Sequence, residues 1–438
     1  MTFKAALMDQ AEYLDRVICN QQIQCVIEVG GRVDEARLAR AVRLAYDAEP
    51  ALGCRFVERR RGPFWQRRDD IDRLVLCTVK DCASAGDVAH GLDEFLLEPG
   101  DPRRDPLVRV RVLRGETDTA CVKVDHIVAD TGGAKDLIYL LCEIYERLGD
   151  YPGYEPAANA RGDRSLRQVL ERVSLPDKLR SLRYANPSAP AWGFPFKGFG
   201  CYDQAFAVRR IEPEEFARLK EFGRGRGATV NDCLLAAYFR AFFELARPGP
   251  GKRCTIRVPI DLRRYLPGEK AGAVCNLSGQ LYATLAMVPG EEFAGTLDRV
   301  CRVMGALKAN TPGVGAAIVF GAMASPGTYL TSKAYRPMVV QGMKTGKWDP
   351  YLSNMGVLSP ERLRFGGAPV TGAYFVSPLQ CAPGFLLGAS TFNERMTLTI
   401  GYADASANGL AVERLLDMVC SDLTILEPRL SGADNVKA

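Results

Sequence analysis

The chain has 438 residues, of which 47% are hydrophobic and 25% charged, with a formal net charge of +5. That length exceeds what one hydrophobic core usually fills, so two lobes are expected, and the ordinary composition excludes disordered and collagen-like classes. The basic clusters at Arg59, Arg60 and Arg61, at Arg67 and Arg68, and at Arg103 and Arg104 are followed by Asp69, Asp70 and Asp105, which suits a solvated surface better than a nucleic-acid groove, so no nucleic-acid partner is expected.

Elements are read in chain order. An amphipathic helix over 5–17 leads into an apolar strand over 23–29, which Gly30 and Gly31 end. Asp34 can cap a helix over 35–47. Strands are expected at 55–58, 74–79, 107–113 and 120–124. A helix over 134–148 places Leu137, Leu140, Leu141, Ile144 and Leu148 on one apolar face. The Pro- and Gly-rich stretch 150–200 reads as a linker with a short helix near 165–173, dividing lobes at 1–185 and 186–438. Beyond it come a strand at 204–209, a helix from Pro213, and a long apolar helix after Thr229. Strands at 255–260, 281–287, 374–377, 385–389 and 396–402 and a final helix over 411–426 complete the second lobe. Helices mixed with strands in both halves imply an α/β architecture.

No segment is read as a membrane span or a signal peptide. The longest uncharged stretches, 311–332 and 366–393, are broken by Gly, Pro, Ser and Thr and are expected as buried strands or channel-lining backbone. The 14 cysteines form no C-x-x-C pair, and His90 and His126 are the only histidines, so no metal site can be assembled at usual spacings. Cys121, Cys142, Cys233 and Cys420 sit in apolar runs and read as small buried hydrophobes. All 14 are therefore expected as thiols, in a cytoplasmic monomer.

His126 falls where the strand over 120–124 ends and a helix is about to begin, a usual place for reactive side chains in α/β folds. Imidazole is the side chain best suited to proton transfer near neutral pH. Asp130, four residues on, could orient that ring or lock its loop. On spacing alone H-x-x-x-D is a weak pattern, and a satisfied structural histidine is the plainer reading.

The segment Val122 to Asp130, with Asp125 and His126 at its centre, resembles the HHxxxDG core motif of nonribosomal peptide condensation domains. Wax ester synthases, alcohol acetyltransferases and plant BAHD acyltransferases carry versions of it. Further resemblances run in order along the chain: Leu14-Asp15-Arg16, Pro50 to Phe56, Asp105 to Val110, Ala228-Thr229-Val230-Asn231-Asp232, Val258 to Arg263, Cys275-Asn276, and Ser353-Asn354-Met355-Gly356.

The resemblance implies two chloramphenicol-acetyltransferase-like lobes with a tunnel between them. It implies an acyltransferase in which His126 deprotonates a small-molecule hydroxyl or amine acceptor attacking an acyl thioester. The co-substrate would be acyl-CoA or a phosphopantetheine thioester on an acyl carrier protein, with no tightly bound cofactor. Asp130 would be architectural and pair with Arg263. Asp125, Thr131, Gly132, Asn276, Ser353 and Asn354 would line the tunnel or hold its bridging loops, and Ser353 could meet the developing oxyanion. Two departures stand out. Asp125 replaces the first motif histidine. Thr131 replaces the motif glycine, whose freedom to take φ > 0 a β-branched residue lacks. Asp125 and Asp130 also read as the D-x-x-x-x-D of heterocyclisation domains, and a non-catalytic protein that binds a carrier or acyl ligand is the other alternative.

Overall fold

The computed structural model describes residues 1–59, 62–185, 189–197, 201–403 and 405–425. Arg60, Arg61, residue 426 and parts of the 150–200 stretch, used above, lie outside them.

A five-stranded sheet is ordered Val370–Val376, Gln22–Val29, Asp118–Asp125, Val108–Arg114 and Cys77–Asp81. Only the last pair is parallel. Helices Glu35–Ala48 and Thr131–Asp150 close its core, burying Leu38, Val42, Leu137, Leu141 and Ile144 completely. The Asp34 carboxylate accepts the Arg37 N–H at 3.0 Å and so starts the first of these helices.

An eight-stranded sheet forms the second layer system. Its order is Ser278–Ala286, Arg253–Asp261, Tyr351–Val357, Leu386–Phe392, Arg395–Tyr402, Leu379–Gln380 and Cys19–Asn20, with Ala205–Ile211 also paired to Arg395–Tyr402. Helix Val230–Ala246 packs beneath it. Thr229 and Asp232 build a capping box there, each side chain accepting from the other's backbone N–H, at 3.2 and 3.0 Å. That is the physical content of the Thr-x-x-Asp spacing seen in the sequence.

Sheet membership crosses the chain division at 185/186 twice. Val370–Val376 lies at the edge of the first sheet beside Gln22–Val29, and Cys19–Asn20 lies in the second beside Leu379–Gln380.

Two expectations are corrected. The stretch 311–332 is helical, forming Val314–Ala324 and the start of Thr328–Thr345. Gly313 and Gly327, at φ 82° and 91°, mark helix entrances and not strand breaks. Not all 14 cysteines are thiols either: Cys201 and Cys381 form a disulfide. They stand 180 residues apart in sequence, so no spacing rule could pair them, yet the fold brings their Cα atoms to 4.9 Å, within bonding range. Helix Phe293–Lys308 and strand Tyr351–Val357 were not among the expected elements. Among the described residues no single helix is long and apolar enough to cross a membrane.

Candidate active site

Strand Asp118–Asp125 runs through the middle of the first sheet, and Asp130 caps the helix that follows. Four residues bridge them. Ile127, Val128 and Ala129 are fully buried, so their side chains anchor the turn in the core. His126 alone keeps part of its exposure, 18% of its side chain.

The turn is held from several directions. The His126 N–H donates to the Gln21 carbonyl at 2.9 Å, and the Ile127 N–H to the Asp125 carboxylate at 3.1 Å. The Ile127 carbonyl accepts from the Asn276 amide at 2.9 Å, and the Val128 carbonyl from Arg164 at 3.0 Å. Arg164 also donates to both oxygens of Asp9 at 3.0 Å, and Asp9 is fully buried and accepts from Trp65 and Asn276 as well. A backbone carbonyl in this turn can hardly move without leaving a buried partner unsatisfied.

Asp130 and Arg263 are brought together at 2.9 Å, both buried. The Asp130 carboxylate also accepts the Gly133 N–H at 2.8 Å and the Leu277 N–H at 2.6 Å. Burial opposes its charge, but the Arg263 guanidinium and these two N–H groups outweigh burial and hold the carboxyl below the usual range. Arg263 reaches Asp261 at 3.1 Å and the Cys275 carbonyl at 2.8 Å. This crossing explains why glycines follow Thr131 at 132 and 133. A Cβ at 132 would sit 2.5 Å from the Arg263 guanidinium, and one at 133 would sit 2.6 Å from the Cys275 carbonyl. Thr131 begins the helix and is not among the residues with positive φ, so its β-branch meets no conformational conflict there.

Asp125 is turned into the lobe. Its carboxylate accepts from Gln22 at 2.9 Å and faces Arg16 at 3.4 Å, while burial lifts its pKa to about 6. Ser353 and Asn354 lie on strand Tyr351–Val357, and neither makes a hydrogen bond to the 125–133 segment. The Asn354 side chain accepts the Gly356 N–H at 3.1 Å and supports a bulge, and Ser353 stands opposite Gly388. The strand itself touches the motif helix through Lys135, whose ammonium donates to the carbonyls of Met355 and Val357.

Glu12, on helix Leu7–Asp15, was not anticipated. Its carboxylate lies 3.4 Å from His126 Nδ1, a buried nitrogen with no hydrogen-bond partner. Burial pushes the Glu12 carboxyl up to about 7, against the pull of His126. Burial also works to lower the imidazole pKa, but Glu12, Asp130 and Asp125 outweigh it and the net shift is upward. Asp9, Glu12, Gln21 and Arg164 gave no motif in the sequence. The only signal was that two acids of one short helix, Asp9 and Glu12, are three residues apart and so share a helix side.

No family model matches the chain. An uncharacterised protein of Mycobacterium tuberculosis is 28% identical over 281 residues, which are 60% of this chain and 62% of that protein. The chain thus spans less than two thirds of the curated relative it matches. Among solved structures, the first condensation domain of the calcium-dependent antibiotic synthetase matches over 97% of each chain at TM-score 0.68 and 18% identity. This chain has the condensation-domain fold. Trichothecene 15-O-acetyltransferase from Fusarium sporotrichioides shares it at TM-score 0.71 and 10% identity, over 96% of this chain and 95% of that one. In the condensation-domain fold described here, the strand-end turn carries His126, and the ion pair behind it joins residues 130 and 263.

Proposed function

We propose that the protein is an acyltransferase that moves an acyl group from a CoA or carrier-protein thioester to a hydroxyl or amine, with His126 as general base. One observation carries this reading. A partly exposed imidazole stands on a turn whose other side chains are buried, with a carboxylate 3.4 Å behind Nδ1. Glu12 in that position favours the tautomer with its proton on Nδ1, which presents Nε2 as the base. Nε2 would take the proton of the acceptor as its oxygen or nitrogen attacks the thioester carbonyl. When the tetrahedral intermediate collapses, the C–S bond breaks and the imidazolium returns the proton to the thiolate. Base catalysis of this kind contributes about 10²–10⁴ in rate. Asp125 and Asp130 both have their oxygens occupied by scaffold groups, which supports a proton-transfer role for His126 over one for the two aspartates.

The test compares wild type with His126→Ala and His90→Ala. Acyl-CoA donors are assayed against alcohols and amines by free thiol release. His126→Ala is expected to retain fold and donor binding and to lose at least about a hundredfold in transfer. His90, exposed on helix Ala85–Leu97, should be silent when replaced. Equal rates for wild type and His126→Ala would refute the base. Donor binding without transfer to any acceptor would favour a binding protein.

A further inference from the structure

Helix Thr328–Thr345 has two unlike sides. Thr331, Val339 and Gly342 are buried and Tyr335 half-buried, and the Tyr335 hydroxyl donates to Asp15 of the opening helix at 2.7 Å. The solvent side carries Leu330, Val340 and Met343, interleaved with Lys333, Arg336 and Lys344, all exposed. Helix Val314–Ala324 adds exposed Met323. Helix Leu175–Ser181 adds Leu175, 67% exposed, and Leu179. These two helices lie side by side because Gly315, with no side chain, lets the Ser181 carbonyl approach closely. Ten of the nineteen large apolar side chains exposed among the described residues belong to these three neighbouring helices and the adjoining turn Leu182–Tyr184, a concentration that single scattered exposure does not explain.

Charge is equally one-sided. From residue 299 to residue 348 the chain has no aspartate or glutamate. Nothing on the two longer helices opposes the field of Lys333, Arg336 and Lys344. Exposed apolar side chains among lysines and arginines, with Asp177 of the short helix held by Arg180 at 3.2 Å, are the composition of a helix lying at the headgroup boundary. There the apolar groups enter the acyl region and the cations reach lipid phosphate. Most of Val314–Ala324 is buried and only its Met323 is an exposed large apolar side chain, so helix Thr328–Thr345, set at 113° to it, carries most of the outward face. An acidic protein could meet the cations, but the apolar area between them matches acyl chains.

We propose that this face seats the protein on an anionic lipid bilayer. The proposal stands on the surface alone and is independent of the role given to His126.

The test is co-sedimentation of the full chain with phosphatidylcholine vesicles and with vesicles that also contain phosphatidylglycerol. Wild type is expected to pellet with the anionic vesicles, less so as salt rises, and weakly with phosphatidylcholine alone. The triple variant Lys333→Gln, Arg336→Gln, Lys344→Gln should bind anionic vesicles about a hundredfold more weakly. Leu330→Ser with Met343→Ser should remove the salt-resistant part of binding. Circular dichroism and thermal unfolding should match wild type for both, since the replaced side chains are exposed. Wild type remaining in the supernatant with both vesicles, or a triple variant that binds like wild type, overturns the proposal. So does retention of an acidic carrier protein, in place of vesicles, that the triple variant loses.

Discussion

Asp130→Ala removes three interactions at once, and their sizes can be worked from the geometry. The Arg263 guanidinium, 4% exposed and 2.9 Å away, loses its nearest counter-charge. Stranding a buried charge costs about 3–5 kcal/mol. Here Asp261, half exposed and 3.1 Å from the same guanidinium, keeps part of the compensation, which puts this contribution near about 3 kcal/mol. The Gly133 N–H loses its cap, worth about 1 kcal/mol. The buried Leu277 N–H loses its acceptor, worth about 1–3 kcal/mol. One side chain supplies all three, so the terms overlap and a total of about 4–5 kcal/mol is expected. Arg263→Met should cost less, because Asp130 keeps both N–H donors. The double variant should fall short of the sum of the singles by about 2 kcal/mol or more. Urea unfolding followed by circular dichroism measures each, with the slope checked for a common unfolded state. A loss below about 1 kcal/mol for Asp130→Ala, or a double variant additive within about 0.5 kcal/mol, would refute the clamp.

Other outcomes follow from the same neighbourhood. The Glu12 carboxylate raises the His126 pKa against burial, so neutral imidazole appears only as pH rises through that raised value. Glu12→Gln should therefore move the acid limb of the rate profile to lower pH, and a limb that stays in place refutes the pairing. The Glu12 carboxyl, lifted from 4.5 to about 7, holds a proton in the folded protein that the unfolded chain releases earlier. Stability from this group should thus be present at low pH and fall between those two values, a slope that Glu12→Gln removes. Thiol titration of denatured protein should count 12 thiols without reductant and 14 after reduction. Fourteen at the outset would disprove the Cys201–Cys381 bond.

Much of the frame was legible because local rules set it. Asp34 and Thr229 cap helices where their sequence context placed them, and Asp130 lies beside Arg263, the position that the family resemblance suggested. Helix Val314–Ala324 was missed because it is apolar on nearly every side, so its residues show no 3.6-residue period to tell it from a strand. Helix Phe293–Lys308 is a plainer omission, since Leu297, Val300 and Met304 stand on one face at helical spacing. The cradle of His126 was not legible, because Asp9, Arg164 and Asn276 meet across 155 and 267 residues of chain and carry no common motif. Asp125 reads as a lost histidine in the sequence, but its hydrogen bonds to Gln22 and to the Ile127 N–H show a turn support.

The placement of Val370–Val376 beside Gln22–Val29 also sets an order on synthesis. At about 5–20 residues per second, on the order of 20–70 s separate the emergence of the second strand from that of the first. Until then Gln22–Val29 is an unpaired edge, and its Ile23, Val26, Ile27 and Val29 make it a template for another nascent chain. Half-made protein is thus the species most in need of a chaperone, and slower translation lengthens its exposure in proportion.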